Sequence, residues 1–210
     1  MPRNYFTKGE GRVDVYPIKM RDFNEMCRLC LVKRDQAKAG SQNQRIWWRN
    51  YIMLILGVNT GFRIEVMLQI QPVEISGGHV RVMEQKTKKW QQFEINRRVY
   101  ETVKKYIDHY EITPREYLFE SRKGQKPITR QQAYKVIKQL AAEAGVDCAV
   151  GCHSLRKSFG RFTYDDSKDI VMVQRMLQHS SPVITLQYIC LEEEAIRKER
   201  KENAWGVFEK

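Results

Sequence analysis

Apolar side chains recur at helical spacing near the start of the chain. Phe23, Met26 and Cys30 lie on one face of a predicted helix over residues 21–33. The polar stretch 38–44 predicts a loop, because it has no apolar face to bury. Helices separated by short polar connections are therefore expected at this end of the chain.

A strongly apolar run predicts a second helix over residues 45–58. It ends near Gly61, a residue type that favours the left-handed backbone found after many helices. A short third helix is predicted over residues 65–70. The longest apolar stretch, residues 51–58, is far too short to cross a bilayer, so no membrane partner is expected.

Between residues 77 and 96 the period of the pattern changes from helical to alternating. Val80 and Val82 alternate with polar neighbours, and so do Phe93 and Ile95 on the other side of a charged turn. Two alternating runs joined by a turn are typical of an antiparallel hairpin. The sequence therefore predicts one small antiparallel sheet here.

Helical periodicity then returns. The predicted helices span residues 97–110, 130–144, 154–164, 170–178 and 182 to about 201. Thr129 precedes the second of these as an N-cap, and Ser181 followed by Pro182 begins the last. The predicted fold class is α+β, mostly α-helical with one small antiparallel β-sheet.

The composition adds a polyanionic partner to this picture. Lys and Arg number 37 against 25 Asp and Glu, which gives a formal charge of +12 and an isoelectric point near 9.5. A charge so far from zero attracts polyanions, and nucleic acid is the commonest of them. Charge alone does not separate a nucleic-acid-binding protein from a basic protein that binds no polyanion.

The cysteines argue against both a disulfide framework and a metal site. Their number, five, is odd, which favours a reducing compartment. A zinc site would combine Cys27 and Cys30 with Cys148, Cys152 and His153. Cys27 and Cys30 lie in a predicted helix, and Cys148 and Cys152 lack the two-residue spacing of a zinc knuckle. We expect these residues to be free thiols and to bind no metal.

Four short segments carry side chains suited to phosphate chemistry. They are Thr60-Gly-Phe-Arg63 between two helices, Glu84-Gln-Lys86 in the hairpin turn, His153-Ser-Leu-Arg156 at a helix start, and the stretch from Leu177 through His179 to Tyr188. Each has an ordinary explanation when taken alone, since basic side chains are usually solvated and a tyrosine among apolar neighbours usually belongs to the core.

Taken together and in this order, the segments closely resemble the tyrosine recombinase, or phage integrase, family. That family carries an Arg after Thr-Gly-x, a Lys in a β-hairpin, His-x-x-Arg, and a His nine residues before a nucleophilic Tyr. The matching positions are Arg63, Lys86, His153, Arg156, His179 and Tyr188. The resemblance extends over residues 16–198 and implies the catalytic-domain fold of this family.

The resemblance also implies a role for each residue. Arg63 and Arg156 would clamp the non-bridging oxygens of a DNA phosphodiester, where a guanidinium can form paired hydrogen bonds. His179 would add a further hydrogen bond to that phosphate. Together they would stabilise the charge that develops during attack.

The remaining three residues would move protons and form the new bond. Tyr188 would attack the phosphorus, His153 would help to deprotonate it or hold the phosphate, and Lys86 would protonate the leaving 5′ oxygen. The product would be a 3′-phosphotyrosyl link that conserves the bond energy. The resemblance therefore implies no cofactor, neither ATP nor a metal ion.

Double-stranded DNA is the partner that the resemblance implies. Two sets of side chains are expected to contact it: Lys88 and Lys89 in the hairpin turn, and Arg130, Gln131 and Tyr134 on one face of a helix. In this family a helix at this point approaches the major groove, where Arg and Gln suit guanine and adenine edges. A solvated basic face explains the helix equally well.

The chain departs from the family at two positions and at its start. Val66 occupies a position that is commonly acidic, with Glu65 one residue early, and Gln178 replaces a common glycine. The expected organisation is an N-terminal arm over residues 1–15 and a catalytic domain over residues 16–210, whose helical tail covers about 191–210.

Most family members carry a DNA-clamping domain before the catalytic one, and only about fifteen residues precede the match here. A stand-alone catalytic domain is therefore expected, with self-association on DNA supplying affinity. The polar first ten residues carry no secretory signal, so the expected location is the bacterial cytoplasm, in association with DNA.

Three other functions fit part of the sequence. A catalytically silent relative would occupy DNA and regulate recombination, although all six motif positions are filled. A type IB topoisomerase would use the same tyrosine chemistry to relax supercoils, but its spacing before the tyrosine usually differs. A zinc-dependent DNA-binding protein would rest on the scattered cysteines alone.

Overall fold

The computed structural model of the chain describes residues 15–83, 90–191 and 200. The helices in these ranges are α1 (Met20–Gln36), α2 (Gln42–Thr60), α3 (Ile64–Met67), α4 (Arg97–His109), α5 (Arg130–Glu143), α6 (Cys152–Ser167), α7 (Ile170–Leu177) and α8 (Pro182–Tyr188), with a 3-10 turn at Pro72–Glu74. The strands are β1 (Ile75–Ser76), β2 (His79–Met83) and β3 (Trp90–Glu94). The predicted fold class is confirmed.

Helix α2 forms the centre of the main core. Ile52, Met53, Leu54 and Leu56 have no exposed surface, so all sides of its middle turns are buried against neighbouring helices. α1 packs along it, and α4 and α6 pack on its other sides. Within the described part of the chain, no helix combines the length and apolar character needed to span a membrane.

Side-chain caps mark the starts of α2 and α5. Ser41 accepts a hydrogen bond from the Gln44 backbone at 3.3 Å, which satisfies an otherwise unpaired N–H. α2 therefore begins at Gln42, inside the stretch 38–44 that was predicted to be a loop. The cap of α5 was predicted correctly, because Thr129 accepts from the Gln132 backbone N–H at 3.2 Å.

The sheet has the strand order β1-β2-β3, and both pairs are antiparallel. Val80 pairs with Phe93, and Val80 and Val82 are buried on the core side as their alternation predicted. Lys86, Lys88 and Lys89 belong to residues 84–89, between β2 and β3 in the chain, which lie outside the described residues. Their predicted roles stay predictions.

A smaller apolar cluster holds the C-terminal helices together. Phe159 of α6 packs there with Val173, Leu177 and Ile189. Gly160 allows this close packing, because a Cβ at that position would lie 2.8 Å from the Ile189 Cγ2 atom. α7 and α8 are thereby fixed to α6.

The prediction of one continuous helix from residue 182 to about 201 is wrong. α8 ends at Tyr188, and Cys190 has a φ of 59°, in the left-handed region that ends a helix. The turn directs Ile189 into the smaller cluster instead of along the helix axis. Tyr188 therefore lies at the end of a short helix, directly before a turn.

Candidate active site

Arg156 on α6 connects the ends of two other helices. Its guanidinium donates one hydrogen bond to the carbonyl of Gly61, which follows α2, and another at 2.5 Å to the carbonyl of Leu177, the last residue of α7. Carbonyls at helix C-termini carry partial negative charge, which a cation stabilises. Arg156 is only 8% exposed, and these two bonds use two of its five N–H groups.

The turn after α2 brings the second arginine to the same place. Gly61 adopts a φ of 63°, and a Cβ there would overlap the ring of Phe159. Glycine is required for both reasons, since it tolerates the left-handed region and leaves room for the ring. The exposed Arg63 follows as the N-cap of α3, and it lines one small pocket together with Arg156 and Gln178.

The hydroxyl of Tyr188 is buried and has no hydrogen-bond partner of normal geometry among the described residues. Burial raises its pKa, while the guanidinium of Arg156, and to a smaller extent that of Arg63, acts in the opposite direction. The structure thus brings Tyr188 close to both arginines, and their catalytic roles stay predictions. An unsatisfied buried hydroxyl is costly to keep, which is typical of a group whose partner arrives with a ligand.

His179 packs edge-on against Tyr188, with 4.9 Å between the ring centroids. It follows Gln178, whose φ of 54° explains why a glycine is common at that position. Burial, followed by the charges of Arg156 and Arg63, lowers the pKa of His179 to about 4. His179 is therefore neutral near pH 7 and can act as a neutral hydrogen-bonding group.

Thr185 on α8 is a site residue that the motifs did not indicate. Its side chain is fully buried, and Oγ1 lies 3.1 Å from Nδ1 of His179. The only signal in the sequence is its position three residues before Tyr188, which places both on one face of α8. This contact fixes the orientation of the imidazole.

His153 lies in the first turn of α6, three residues before Arg156, as the motif predicted. Burial is the largest influence and lowers its pKa, while the carboxylate of Glu65 raises it and nearby cations lower it further. Because the pKa falls below its ordinary value, the neutral imidazole predominates at pH 7 and can accept a proton.

The residues expected to read DNA lie on the exposed face of α5. Gln131 is exposed and Tyr134 is 42% exposed, with Lys138 over the Tyr134 ring at 5.7 Å from its centroid. Arg130 forms an ion pair with Glu65 at 3.1 Å. Both partners are largely exposed, so the pair contributes little to stability and Arg130 remains accessible to a ligand.

The cysteines considered for zinc are separated in the fold. Cys27 and Cys30 pack in the main core on α1, and burial raises the pKa of both thiols, that of Cys27 to about 12. Cys152 instead donates to the carbonyl of Arg130 at 3.6 Å. Across the described ranges, no group of three or more His, Cys, Asp or Glu side chains is arranged to hold a metal ion.

The arrangement of these motif residues agrees with a comparison to known families. Residues 32–194 match the model described as the phage integrase family, which is more than half of the chain. The chain belongs to the phage integrase family. The resemblance drawn from the motifs is thereby confirmed.

Members of this family with named functions are similar to much of the chain. The probable integrase/recombinase YoeC of Bacillus subtilis (strain 168) is 39% identical over 152 residues, which cover 71% of this chain and 81% of that protein. The tyrosine recombinase XerD of Staphylococcus saprophyticus is 32% identical over 158 residues, 72% of this chain and 53% of that protein. The chain therefore spans about half the length of the XerD relatives.

Solved structures of tyrosine recombinases have the same fold. The XerA recombinase superimposes with a TM-score of 0.68 at 18% identity, over 93% of this chain and 68% of that chain. The XerH site-specific recombinase, bound to palindromic difH substrate in a post-cleavage complex, superimposes with a TM-score of 0.67 at 19% identity. The superposition covers 89% of this chain and 53% of that chain. The fold is that of the catalytic domain of this family.

Proposed function

We propose that this chain cleaves and rejoins DNA strands site-specifically, with Tyr188 as the nucleophile. The observation that carries the proposal is the buried Tyr188 hydroxyl, which has no hydrogen-bond partner of normal geometry among the described residues and lies in the field of Arg156 and Arg63. Two cations beside a buried hydroxyl suit a phosphodiester, which brings negative charge and an electrophilic phosphorus.

The two arginines would bind the non-bridging oxygens of the scissile phosphate. Arg156 is held by the Gly61 and Leu177 carbonyls, so little further ordering is needed when the charge develops. Arg63 approaches from the exposed side of the same pocket. Arg156 would therefore be a rigid hydrogen-bond donor, and Arg63 would be a donor that becomes ordered when DNA binds.

The histidines would act in their neutral forms. Burial keeps the pKa of His153 below its ordinary value, so His153 can accept the proton that Tyr188 loses on attack. Oγ1 of Thr185 lies 3.1 Å from Nδ1 of His179 and 3.2 Å from the carbonyl oxygen of Ser181, and its single proton can be donated to either. In the state in which it is donated to Nδ1, the neutral ring carries its own proton on Nε2 and can donate to a phosphate oxygen. Lys86 is proposed, from the motif alone, to protonate the leaving 5′ oxygen.

Double-stranded DNA is the proposed partner, and the chain is proposed to self-associate on it. The formal charge of +12 supports binding to a polyanion. Among similar structures, the XerH recombinase is bound to difH DNA, and a lambda integrase dimer bound to a COC′ core site gives a TM-score of 0.61 at 15% identity, over 95% of this chain and 52% of that chain. These two complexes support the proposal that the chain binds DNA and acts on it as an assembly of more than one copy.

Tyr188→Phe tests the nucleophile most directly. The substrate is a nicked suicide duplex selected from randomised DNA by covalent capture on the wild-type chain. The wild type should give a slowly migrating protein–DNA band on a denaturing gel, and the Phe variant should give none while melting at a similar temperature. A band from the Phe variant would exclude Tyr188 as the nucleophile.

The same substrate distinguishes the remaining functions. A silent DNA-binding relative would give no covalent band with either chain. A topoisomerase would give the band but would relax supercoiled plasmid without forming recombinant products. Recombinants together with the band are the expected result.

A further inference from the structure

Lys157 contacts the proposed nucleophile, although it belongs to none of the motif positions. Its Nζ lies 5.2 Å from the centroid of the Tyr188 ring and 3.7 Å from the Sγ atom of Cys190. The side chain is half-buried, and no carboxylate in the described ranges lies within 4 Å of it. Within the described part of the chain, this half-buried ammonium therefore has the Tyr188 ring and the Cys190 thiol as its side-chain contacts.

The position of Lys157 differs from that of the arginines. Arg156 and Arg63 influence the hydroxyl end of Tyr188, whereas Lys157 lies over the ring. His179 packs against the same ring, and the Cys190 thiol follows α8 at the turn. Among the described residues, these are the titratable and charged groups that face Tyr188 from α6, from the start of α3, from the α7–α8 connection and from the turn after α8.

Two physical effects follow from the ring contact. A cation over an aromatic face is attracted to the ring quadrupole, so it favours one orientation of the phenol. The attraction grows when the phenol loses its proton, because the cation then faces a full negative charge. The contact between Nζ of Lys157 and Sγ of Cys190 also connects Lys157 to the turn that ends α8.

We propose that Lys157 is a positioning residue for strand cleavage, which holds the Tyr188 ring in the orientation of attack and stabilises the negative charge that the ring gains. This inference rests on the proposed function, in which Tyr188 is the nucleophile. It gives the site a third cation, contributed by α6, with a role distinct from phosphate binding.

Lys157→Met is the informative substitution, because it retains most of the length and apolar contact and removes the charge. Single-turnover cleavage of the selected suicide duplex at pH 7 should slow by about tenfold. The rate–pH profile should move to higher pH, since a phenol without the cation loses its proton less readily. Lys157→Arg, which keeps a cation over the ring, should recover most of the rate and the wild-type profile.

A spectroscopic measurement separates this inference from the function itself. With 3-fluorotyrosine incorporated at position 188, the fluorine resonance reports the phenol titration without DNA. Lys157→Met should raise the titration midpoint by about one pH unit or less, and Lys157→Arg should leave it near the wild-type value. This result is expected even if the wild type captures no DNA. In that case the proposed function would be wrong, and the contact between Lys157 and the Tyr188 ring would still be supported.

Lys168→Met is the matched control. Lys168 lies over the Tyr164 ring at 5.7 Å from its centroid, at the other end of α6 and away from the nucleophile. Lys168→Met should change the cleavage rate by less than about twofold, since a surface substitution of this kind changes stability little. If Lys157→Met keeps the wild-type rate, profile and fluorine titration, or if its whole effect is weaker DNA binding, the assignment is wrong.

Discussion

Thr185 shows at the scale of one residue how a site depends on a group outside its motifs. Thr185→Val replaces the hydroxyl with a methyl of similar size, so the imidazole of His179 loses its Nδ1 contact at 3.1 Å while the packing of α8 is retained. We expect cleavage of the suicide duplex to fall by about tenfold, the effect of losing one hydrogen bond of roughly 1.4 kcal/mol.

Thr185→Ser is the control for this change, because it keeps the hydroxyl and removes only the methyl group. Its cleavage rate should lie closer to the wild type than to the Val variant, although a small cavity lowers its melting temperature. Equal rates for the Ser and Val variants would show that the hydroxyl does not orient His179.

The residue scale also marks the limit of what the motifs could predict. The spacing identified Arg63, Arg156, His179 and Tyr188, and the structure brings them together. It did not predict that Arg156 would bond two backbone carbonyls, because the places of those carbonyls depend on how α2 and α7 pack. Lys157 was missed for the same reason, since its ring contact exists only after α8 folds onto α6.

At the scale of elements, periodicity predicted the type of the eight described helices and of β2 and β3 better than their ends, and it did not predict β1 or the preceding 3-10 turn. The start of α2 was missed because Ser41 caps the helix from within a polar stretch. The end of α8 was missed because the apolar spacing continues past Tyr188, whereas the backbone turns at Cys190. Both errors arise from local conformations that hydrophobic periodicity does not record.

The junction between α2 and α3 provides a test of element placement. Gly61→Ala is destabilising for two reasons: alanine is strained in the left-handed backbone region, and the new methyl group overlaps the Phe159 ring. The free energy of unfolding should fall by about 2–5 kcal/mol, the sum of the two penalties. Chemical denaturation measures this loss, and cleavage should fall as well, because Arg63 follows the junction.

Gly40→Ala isolates the first of the two penalties. Gly40 has a similar φ of 71°, but no atom beyond its chain neighbours lies within 4 Å of the position of its missing Cβ. The free energy of unfolding of Gly40→Ala should fall by only about 1–2 kcal/mol, and its cleavage rate should be unchanged. If the two variants lose the same stability, the packing of Phe159 against the junction does not fix the position of Arg63.

For the molecule as a whole, charge is the property that the sequence predicts most directly. An excess of twelve positive charges makes DNA affinity fall steeply with salt, because each neutralised phosphate releases about 0.9 counterion on B-DNA. The described residues comprise the catalytic fold, and residues 1–14 and most of those after 191 lie outside them. The predicted arm and tail therefore stay predictions.

Self-association on DNA can be tested with that tail. Trp205, Val207 and Phe208 are apolar residues near an otherwise charged end, which suits contact with a second copy of the chain. We expect a monomer in solution with a Kd for random duplex DNA of about 10⁻⁴ to 10⁻⁶ M at physiological salt, and assembly only on DNA. A chain that ends at Asn203 should keep its melting temperature and lose assembly, as measured by analytical ultracentrifugation with and without duplex. Tight, site-specific binding by a single copy in moderate salt, unaffected by this truncation, would contradict the prediction, because one basic face would then suffice.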